Sequence, residues 1–246
     1  MSINIIELGS CASTSAELSA IPDAPGGTVV VTSRQTAGRG QRGNSWEAEP
    51  GKNLTFSQLI RPAGWPAARQ FELSMLVALA VADTIDEAFA EAGCEARTKV
   101  KWPNDIYVCD KKICGILIEN RLCGFNIERS IAGIGIDVNQ TVFTSDAPNP
   151  VSMIHFTGKD LPLRPLLEKV CTAIDDYCHN YIAAPDAARL KENFMKRLYR
   201  GDGREYLFRE PQGEPFSAAI SDIALTGHLT LSNGRSYAFK EVAYII

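Results

Sequence analysis

The sequence predicts an α+β protein, a mixed β-sheet backed by helices, followed by a small C-terminal β-barrel. Helix-like and strand-like segments are mixed over residues 1–199, without the strict strand–helix alternation of a doubly wound parallel sheet. After residue 199 only short strand-like segments remain, separated by glycine, proline and asparagine turns. We therefore predict two domains, residues 1–199 and residues 200–246, with the boundary near residues 200–203.

Each element follows from a local pattern. Three amphipathic segments predict long helices, at residues 66–92, 165–182 and 185–199. Thr14 and Glu17 have the spacing of a capping box, which predicts a short helix near the N-terminus with Thr14 as its cap. In the second domain, strands are expected at residues 204–209, 214–222, 228–232 and 236–245.

The composition argues against several classes of protein. Lysine and arginine total 25 against 29 acidic residues, a net charge of −4, whereas nucleic-acid binding calls for a basic surface, so no DNA role is expected. The seven cysteines contain no C-x-x-C pair and the first residues do not form a signal peptide, so we expect a reducing cytoplasm. The longest apolar stretch, residues 75–82, is too short to cross a bilayer, and the three histidines lack metal-binding spacing.

Residues 38–43 read Gly-Arg-Gly-Gln-Arg-Gly, a literal match to the dinucleotide fingerprint in a context that does not suit it. The fingerprint requires a strand that turns directly into a helix, but Pro50 and Gly51 interrupt any helix that follows this loop. A loop that alternates glycine with Arg39 and Arg42 brings backbone N–H groups and two guanidinium charges to an anionic ligand. The alternative is a solvated surface turn, and the rest of the chain decides between the two.

A second informative region begins at residue 99. Residues 99–105 read Lys-Val-Lys-Trp-Pro-Asn-Asp and lead into two strand-like segments that form a hairpin pattern. Lys112 begins the second strand, in which Gly115 marks a bulge or a close approach by a ligand. Residues 131–139 form a further apolar strand whose glycines alternate on one face, and such a face leaves room for a ligand.

Taken together, these segments resemble the biotin protein ligases, enzymes that attach biotin to a lysine of a carrier domain. The resemblance covers most of residues 10–140 and implies a sheet of the class II aminoacyl-tRNA synthetase and biotin ligase type with an SH3-like C-terminal domain. The matching segments, in the family's order, are residues 13–18, residues 35–40 with Trp46, residues 101–105 with Lys112 and Gly115, and residues 133–139.

The resemblance implies a two-step, ATP-dependent reaction. The biotin carboxylate attacks the α-phosphate of ATP to form biotinyl-5'-AMP and release pyrophosphate, and the carrier lysine then displaces AMP. Cations must be fixed where the two anions meet, and Arg39, Arg42 and Lys112 are the candidates. Asp105 is the candidate base for the carrier lysine and a candidate ligand of Mg²⁺, which the phosphates would otherwise hold.

Binding roles also follow from the resemblance. It implies that biotin is bound by Ser13, Thr14, Ser15, Gln35, Gly38, Arg39, Gly40, Lys112, Gly115 and Gly133. It implies that ATP is bound by Arg39, Arg42, Trp46, Asn104, Lys112 and Asp137. Trp46 is expected to flank the adenine. Trp102 is expected to be a core residue, with Pro103 fixing the turn that aims Asn104 and Asp105.

Two positions depart from the family's pattern. Gln41 stands where an arginine that helps to retain the adenylate is common, so we expect weaker retention that Arg42 restores only in part. Asp137 stands where relatives usually carry asparagine near the adenine. A carboxylate accepts hydrogen bonds but does not donate unless it is protonated, so a contact to the base amino group is kept while the donor role is lost.

Two alternative functions stay open at this stage. A lipoate or octanoate ligase of the same superfamily shares the adenylation chemistry, although its usual Gly-Gly-Gly pattern is absent, and a non-catalytic biotin sensor keeps the pocket without turnover. The chain begins almost directly at the matching region, without the winged-helix DNA-binding domain of bifunctional repressor-ligases. A monofunctional biotin-[acetyl-CoA-carboxylase] ligase is therefore expected, with its carrier protein and its state as monomer or homodimer left open.

Overall fold

A seven-stranded mixed sheet forms the centre of the molecule in the computed structural model, which describes residues 3–38, 40, 46–145 and 147–246. Its strands are β1 (Asn4–Leu8), β2 (Thr28–Thr32), β3 (Leu54–Ile60), β4 (Thr98–Lys101), β5 (Asp105–Val108), β6 (Lys111–Cys123) and β7 (Asn126–Ile136). They lie in the order β1-β2-β3-β7-β6-β5-β4, with β1 and β2 parallel and all other neighbours antiparallel. The α+β architecture predicted from the sequence is confirmed.

Helices cover the sheet and supply much of the core. They are α1 (Thr14–Ala20), α2 (Gln70–Glu91), α3 (Ile154–Thr157), α4 (Leu163–Ala183) and α5 (Ala187–Arg197). Helix α2 packs on α4, α5 and β4, and its alanine, valine and leucine side chains are almost all buried, which fits a helix enclosed on several sides. The predicted helices over residues 66–92, 165–182 and 185–199 are therefore present, although Pro66 leads into a short 3₁₀ turn before α2 begins.

The C-terminal strands form two small antiparallel sheets, as an SH3-like unit requires. They are β8 (Tyr206–Arg209), β9 (Pro215–Ala218), β10 (Ile220–Ile223), β11 (Leu229–Leu231), β12 (Ser236–Tyr237) and β13 (Ala243–Tyr244). One sheet has the order β13-β8-β9 and the other the order β10-β11-β12.

Two of the strands predicted here were wrong in extent, because each divides between the two sheets. The segment 214–222 breaks at Ala219, whose backbone N–H donates to the Ser232 hydroxyl instead of continuing one ladder. The segment 236–245 breaks at a tight turn in which the Glu241 N–H donates to the Ala238 carbonyl and Lys240 has a φ of 73°. Local turns thus move the chain from one sheet to the other.

The C-terminal sheets share one hydrophobic core with the central sheet. Trp102, between β4 and β5, is 3% exposed, and its indole N–H donates to the Gly227 carbonyl at 2.8 Å. Its ring also meets Phe239 edge-on at 5.8 Å between centroids. Trp102 is thus the core residue that was expected, while the domain boundary at residues 199–200 stays a prediction. No helix in the described part of the chain has the length and apolar character needed to span a bilayer.

Candidate active site

A cavity of about 760 Å³ opens over β3, β6 and β7 and is bounded by the turn before β5 and the segment after β7. Most of the residues predicted to bind ligand lie in its wall. They are Ser13, Thr14, Ser15, Gln35, Gly40, Trp46, Asn104, Asp105, Lys112, Gly115, Gly133 and Asp137. Segments far apart in the sequence are therefore brought to a single cavity.

Some predicted site residues are not part of this wall. Gly38 lies beside it, where its carbonyl accepts a hydrogen bond from the Trp46 N–H at 3.2 Å. Arg39, Gln41 and Arg42 lie outside the described residues. The roles expected of these three side chains therefore stay predictions, and the cationic part of the described cavity is supplied by lysine.

The start of α1 supplies a cluster of hydroxyl groups. Ser13, not Thr14, caps the helix, because its side chain accepts from the Ala16 N–H at 3.4 Å; the capping box predicted at Thr14 is wrong. The Thr14 hydroxyl instead lies 2.8 Å from the Ser57 hydroxyl, and the Thr14 N–H donates to the Gln35 side-chain oxygen at 2.9 Å. The Thr14 side chain thus faces the cavity, whereas the side chain of a capping residue faces the end of its own helix.

Ser57 is a member of the site that the sequence did not reveal. It lies fully buried on β3, between the hydroxyl groups of Thr14 at 2.8 Å and Ser15 at 2.9 Å. A buried hydroxyl requires hydrogen-bond partners, so Ser57 fixes the orientation of both helix residues. The available signal was a polar residue inside a strand that is buried on both faces. The three hydroxyls with Gln35 form an array of donors and acceptors suited to a planar polar ligand group.

Lys112 and Asp105 form an ion pair in the cavity wall, with 2.8 Å between Nζ and Oδ2. The pairing of β5 with β6 shifts by one residue and leaves Ile113 as a β-bulge. Residues three apart point to opposite faces of a regular strand, but this bulge turns Lys112 and Gly115 toward the same face. Lys112 Cε accordingly lies 3.4 Å from where a Cβ on Gly115 would sit.

The indole of Trp46 occupies the glycine face of the sheet. A Cβ added to Gly115 would lie 2.9 Å from this ring, and one added to Gly135 would lie 2.3 Å from it. Lys112 Nζ is 5.7 Å from the ring centroid. A bulge or a close approach by a ligand was predicted at Gly115; the bulge lies two residues away, at Ile113, and the neighbour of Gly115 in this structure is a protein side chain. At Gly133 the neighbour is the Ser15 hydroxyl, 2.8 Å from the position of an added Cβ.

Asp137 follows β7 and is 2% exposed. Burial raises the pKa of its carboxyl well above the usual range, and the nearby Lys112 ammonium offsets this only in part. Its Oδ1 atom has no hydrogen-bond partner among the described residues. A buried carboxyl with a raised pKa and a free oxygen is suited to both accept from and donate to a ligand, as an asparagine does.

Lys101 adds a second ammonium group to the wall. Its Nζ lies 5.1 Å from the Tyr107 ring centroid and 5.0 Å from that of Tyr244, so the C-terminal unit contributes to its surroundings. Burial lowers the pKa of Lys101, while Asp105 acts in the opposite direction. Lys99, on the same strand, instead points to solvent, where its Nζ donates to the Lys196 carbonyl at 3.2 Å.

The described side chains offer few ligands for a metal ion. No group of three or more histidine, cysteine or acidic side chains in the described segments could hold a metal ion. His155 has a structural role: its Nδ1 accepts from the Ser152 N–H at 3.1 Å, and its ring stacks on Phe143. A Mg²⁺ ion brought in by a nucleotide needs only one or two carboxylates, and Asp105 in the cavity wall is suited to that requirement.

Comparison with known proteins assigns this fold and cavity to a family. The family model described as "Biotin/lipoate A/B protein ligase family" matches residues 10–139, more than half of the chain. The chain therefore belongs to the biotin/lipoate A/B protein ligase family. The matched region contains the hydroxyl cluster, the Lys112–Asp105 pair and Asp137, so most of the cavity wall lies within the family match.

Individual relatives narrow the comparison. The chain is 41% identical over 118 residues to the bifunctional ligase/repressor BirA of Bacillus subtilis, a match to 48% of this chain and 34% of that protein. It is 38% identical over 109 residues to the biotin–[acetyl-CoA-carboxylase] ligase of Paracoccus denitrificans, a match to 44% of this chain and 43% of that protein. The chain thus spans about a third to under half of the length of these curated relatives.

The whole fold also has a solved counterpart. The biotin protein ligase of Aquifex aeolicus, in complex with biotin and ATP, aligns with a TM-score of 0.79 and 25% identity. The alignment covers 98% of this chain and 97% of that chain, including the C-terminal sheets. The fold is that of the biotin protein ligases, as the sequence resemblance implied.

Proposed function

We propose that this protein ligates biotin to a lysine of a biotin carboxyl carrier domain, with ATP as the energy source and biotinyl-5'-AMP as the intermediate. The observation that carries the proposal is the ammonium of Lys112, which shares one cavity with an array of hydroxyl groups and with Trp46 and Asp137. The array of hydroxyl groups suits the ureido ring of biotin. The part of the cavity formed by Trp46 and Asp137 suits an adenine base.

In the first step, the biotin carboxylate attacks the α-phosphate of ATP. A bond forms between the carboxylate oxygen and phosphorus, the bond to the β-phosphate breaks, and pyrophosphate leaves. Two anions must approach each other, so a cation fixed between them in advance lowers the barrier. Lys112 fills this role in the described cavity, held in place by Asp105 at 2.8 Å. Arg39 and Arg42 are proposed as further cations on the phosphates.

In the second step, the carrier lysine attacks the acyl carbon of the mixed anhydride and AMP leaves. The attacking amine must be neutral, although a free lysine has a pKa of about 10.4. Asp105 is the proposed acceptor of its proton, because its carboxylate lies in the cavity wall and is about a quarter exposed, at 27%. The ion pair with Lys112, at 2.8 Å, holds this carboxylate in the cavity wall.

Magnesium belongs to the proposal as the ion that accompanies ATP. When bound, it would neutralise charge on the triphosphate, and Asp105 is the residue proposed to hold it. A reducing cytoplasm is the proposed location, since the seven cysteines are all described and all free. The names of the curated relatives from Bacillus subtilis and Paracoccus denitrificans, both ligases, support the same activity here.

The proposal is tested by incubating the protein with labelled biotin, ATP and Mg²⁺ in the presence of a purified carrier domain. We expect label on the carrier lysine, with one AMP released for each biotin transferred. Binding of biotin without transfer would instead indicate a sensor. Faster transfer of lipoate or octanoate than of biotin would indicate the lipoyl branch of the family and would overturn the proposal.

A further inference from the structure

Glu47 connects two separate parts of the cavity wall. Its Oε1 accepts hydrogen bonds from the Thr144 N–H at 2.9 Å and the Thr144 hydroxyl at 3.0 Å. Its Oε2 accepts from the Ser145 N–H at 2.8 Å. Glu47 therefore binds the chain that follows β7 by three hydrogen bonds, two of them to backbone groups, although nearly a hundred residues separate the partners in sequence.

Gln140 joins the same two segments a short distance away. Its side-chain oxygen accepts from the Glu49 N–H at 2.9 Å and from the Asn53 amide at 2.5 Å. Its amide nitrogen donates to the Val142 carbonyl at 2.9 Å and lies 3.4 Å from Glu47 Oε1. Gln140 is 1% exposed, whereas the Glu47 contacts lie at the surface. The connection thus has a buried anchor and an outer, charged anchor.

The outer anchor is charged at any working pH. Burial by itself would raise the pKa of Glu47, but the hydrogen bonds from Ser145 and Thr144 outweigh that effect and lower the pKa to about 2. Hydrogen bonds to an ionised acceptor are shorter and stronger than those between neutral groups. The Glu47 carboxylate is therefore a persistent acceptor for both backbone N–H groups.

Glu47 and its partner Thr144 are each preceded in the sequence by an aromatic residue of the cavity wall. Trp46 precedes Glu47, and its indole lies over Gly115 and Gly135. Phe143 precedes Thr144, lines the cavity and stacks on His155 with 6.5 Å between centroids. If the hydrogen bonds between Glu47 and Thr144 were lost, Trp46 or Phe143 would therefore be free to move.

We propose that Glu47 is a positioning residue that holds Trp46 and Phe143 as the two walls of the nucleotide end of the cavity. The inference rests on the proposed function only for the identity of that end. The consequence is a difference in size between two effects: loss of the Glu47 carboxylate weakens binding of the nucleotide more than binding of biotin, because the hydroxyl cluster at α1 does not contact this connection.

The test compares Glu47→Ala with Glu49→Ala as a matched control. Glu49 lies two residues away on the same segment, is exposed, and forms no ion pair or side-chain hydrogen bond with the described residues. Calorimetry would measure α,β-methylene-ATP, which resists cleavage at the reacting bond, and biotin in separate titrations. We expect Glu47→Ala to weaken the affinity for the nucleotide by roughly fivefold and Glu49→Ala to leave this affinity unchanged. The conservative variant Glu47→Gln, which keeps one acceptor, is expected to fall between wild type and Glu47→Ala.

Several outcomes would overturn the inference. One is equal nucleotide affinity in Glu47→Ala and Glu49→Ala. Another is a parallel loss of biotin and nucleotide affinity with a lower Tm, which indicates a general structural role. Hydrogen exchange supplies a ligand-free readout, since the amides of residues 144 and 145 are expected to exchange faster in Glu47→Ala than in the control, and equal rates contradict the connection. A wild type that binds the nucleotide but transfers no biotin refutes the proposed function alone, whereas one that binds no nucleotide refutes both.

Discussion

Among single residues, Lys112 is the one on which the proposed adenylation depends most directly. Its ammonium pairs with Asp105 at 2.8 Å and faces the Trp46 ring. We expect Lys112→Ala to fold normally and to form biotinyl-5'-AMP about 10²- to 10³-fold more slowly, the usual cost of removing a preorganised donor. Single-turnover formation of labelled adenylate measures this.

The neighbouring residue gives the control for that experiment. Lys111 is exposed and starts the same strand, so Lys111→Ala removes the same charge from the same element without reaching the cavity. Equal adenylate yield from Lys112→Ala and wild type would show that the lysine has no part in the first step.

Asp137 gives a prediction about pH. Because burial raises its pKa, the native state binds a proton more tightly than the unfolded state does, and the wild type loses stability as the pH rises from about 4 through the raised pKa. Asp137→Asn lacks this loss, so its advantage in Tm over the wild type is expected to grow with pH. The same change is expected to flatten the pH dependence of the KM for ATP, since an amide donates and accepts at every pH.

Thermal melts and ATP titrations of both proteins across the pH range check this. Lys112 and Glu47 are the charged groups that act on Asp137, and the substitution leaves both in place. Parallel pH profiles for wild type and Asp137→Asn would contradict the raised pKa.

Residues of the cavity wall could be predicted from the sequence more readily than the residues that support them. Lys112, Asp105 and Asp137 lie in short motifs whose order can be read directly. Ser57 and Glu47 act through partners that are remote in sequence, Thr14 in one case and Thr144 in the other, so no local pattern indicates them. The prediction of Thr14 as the helix cap was wrong for a related reason, because the Thr14 hydroxyl forms a hydrogen bond with Ser57, on a strand remote in sequence.

Among the elements, β7 is fitted to the indole above it. An alanine side chain at Gly135 would place a carbon 2.3 Å from the Trp46 ring, so the ring has to move. We expect Gly135→Ala to raise the KM for ATP by roughly tenfold, equivalent to about 1.4 kcal/mol, which lies within the usual cost of overpacking. Steady-state kinetics with ATP as the varied substrate measures the change.

Gly9 is a suitable control for that substitution, because it is exposed and an added Cβ would meet nothing within 4 Å. If Gly135→Ala and Gly9→Ala both retained the wild-type KM for ATP, the seat of Trp46 on the glycine face would have no role in nucleotide binding.

The long elements were predictable and the short ones less so. Helices α2 and α4 follow from amphipathic patterns over many residues, which several local signals reinforce. The β-bulge at Ile113 and the breaks at Ala219 and residues 238–241 depend on which strand is adjacent, and adjacency is a property of the tertiary structure. The bulge matters most, since it brings Lys112 and Gly115 to the same face of the sheet.

For the molecule as a whole, Trp102 connects the C-terminal sheets to the candidate active site. Its indole donates to Gly227, and the turn that follows it carries Asn104 and Asp105. Trp102→Phe leaves the half-buried Gly227 carbonyl without its donor, which is expected to cost about 0.5–1.5 kcal/mol of unfolding free energy. We also expect slower biotin transfer, because the turn loses its anchor.

Urea unfolding and transfer assays measure the two effects. Trp65→Phe is the matched control, since Trp65 donates an equivalent hydrogen bond to the Arg69 carbonyl at 3.0 Å, away from the cavity. It is expected to lower stability to a similar extent without slowing transfer. Equal transfer rates in Trp102→Phe and Trp65→Phe would show that the contact between Trp102 and the C-terminal sheets has no role in biotin transfer.

The central claim is that one cavity brings the carboxylate of biotin to the α-phosphate of ATP. Exchange of labelled pyrophosphate into ATP measures that step alone, without a carrier protein. We predict exchange that requires biotin, is not supported by lipoate, and falls by about 10²-fold or more in Lys112→Ala. Exchange that proceeds equally well without biotin, or with lipoate in its place, would contradict the claim.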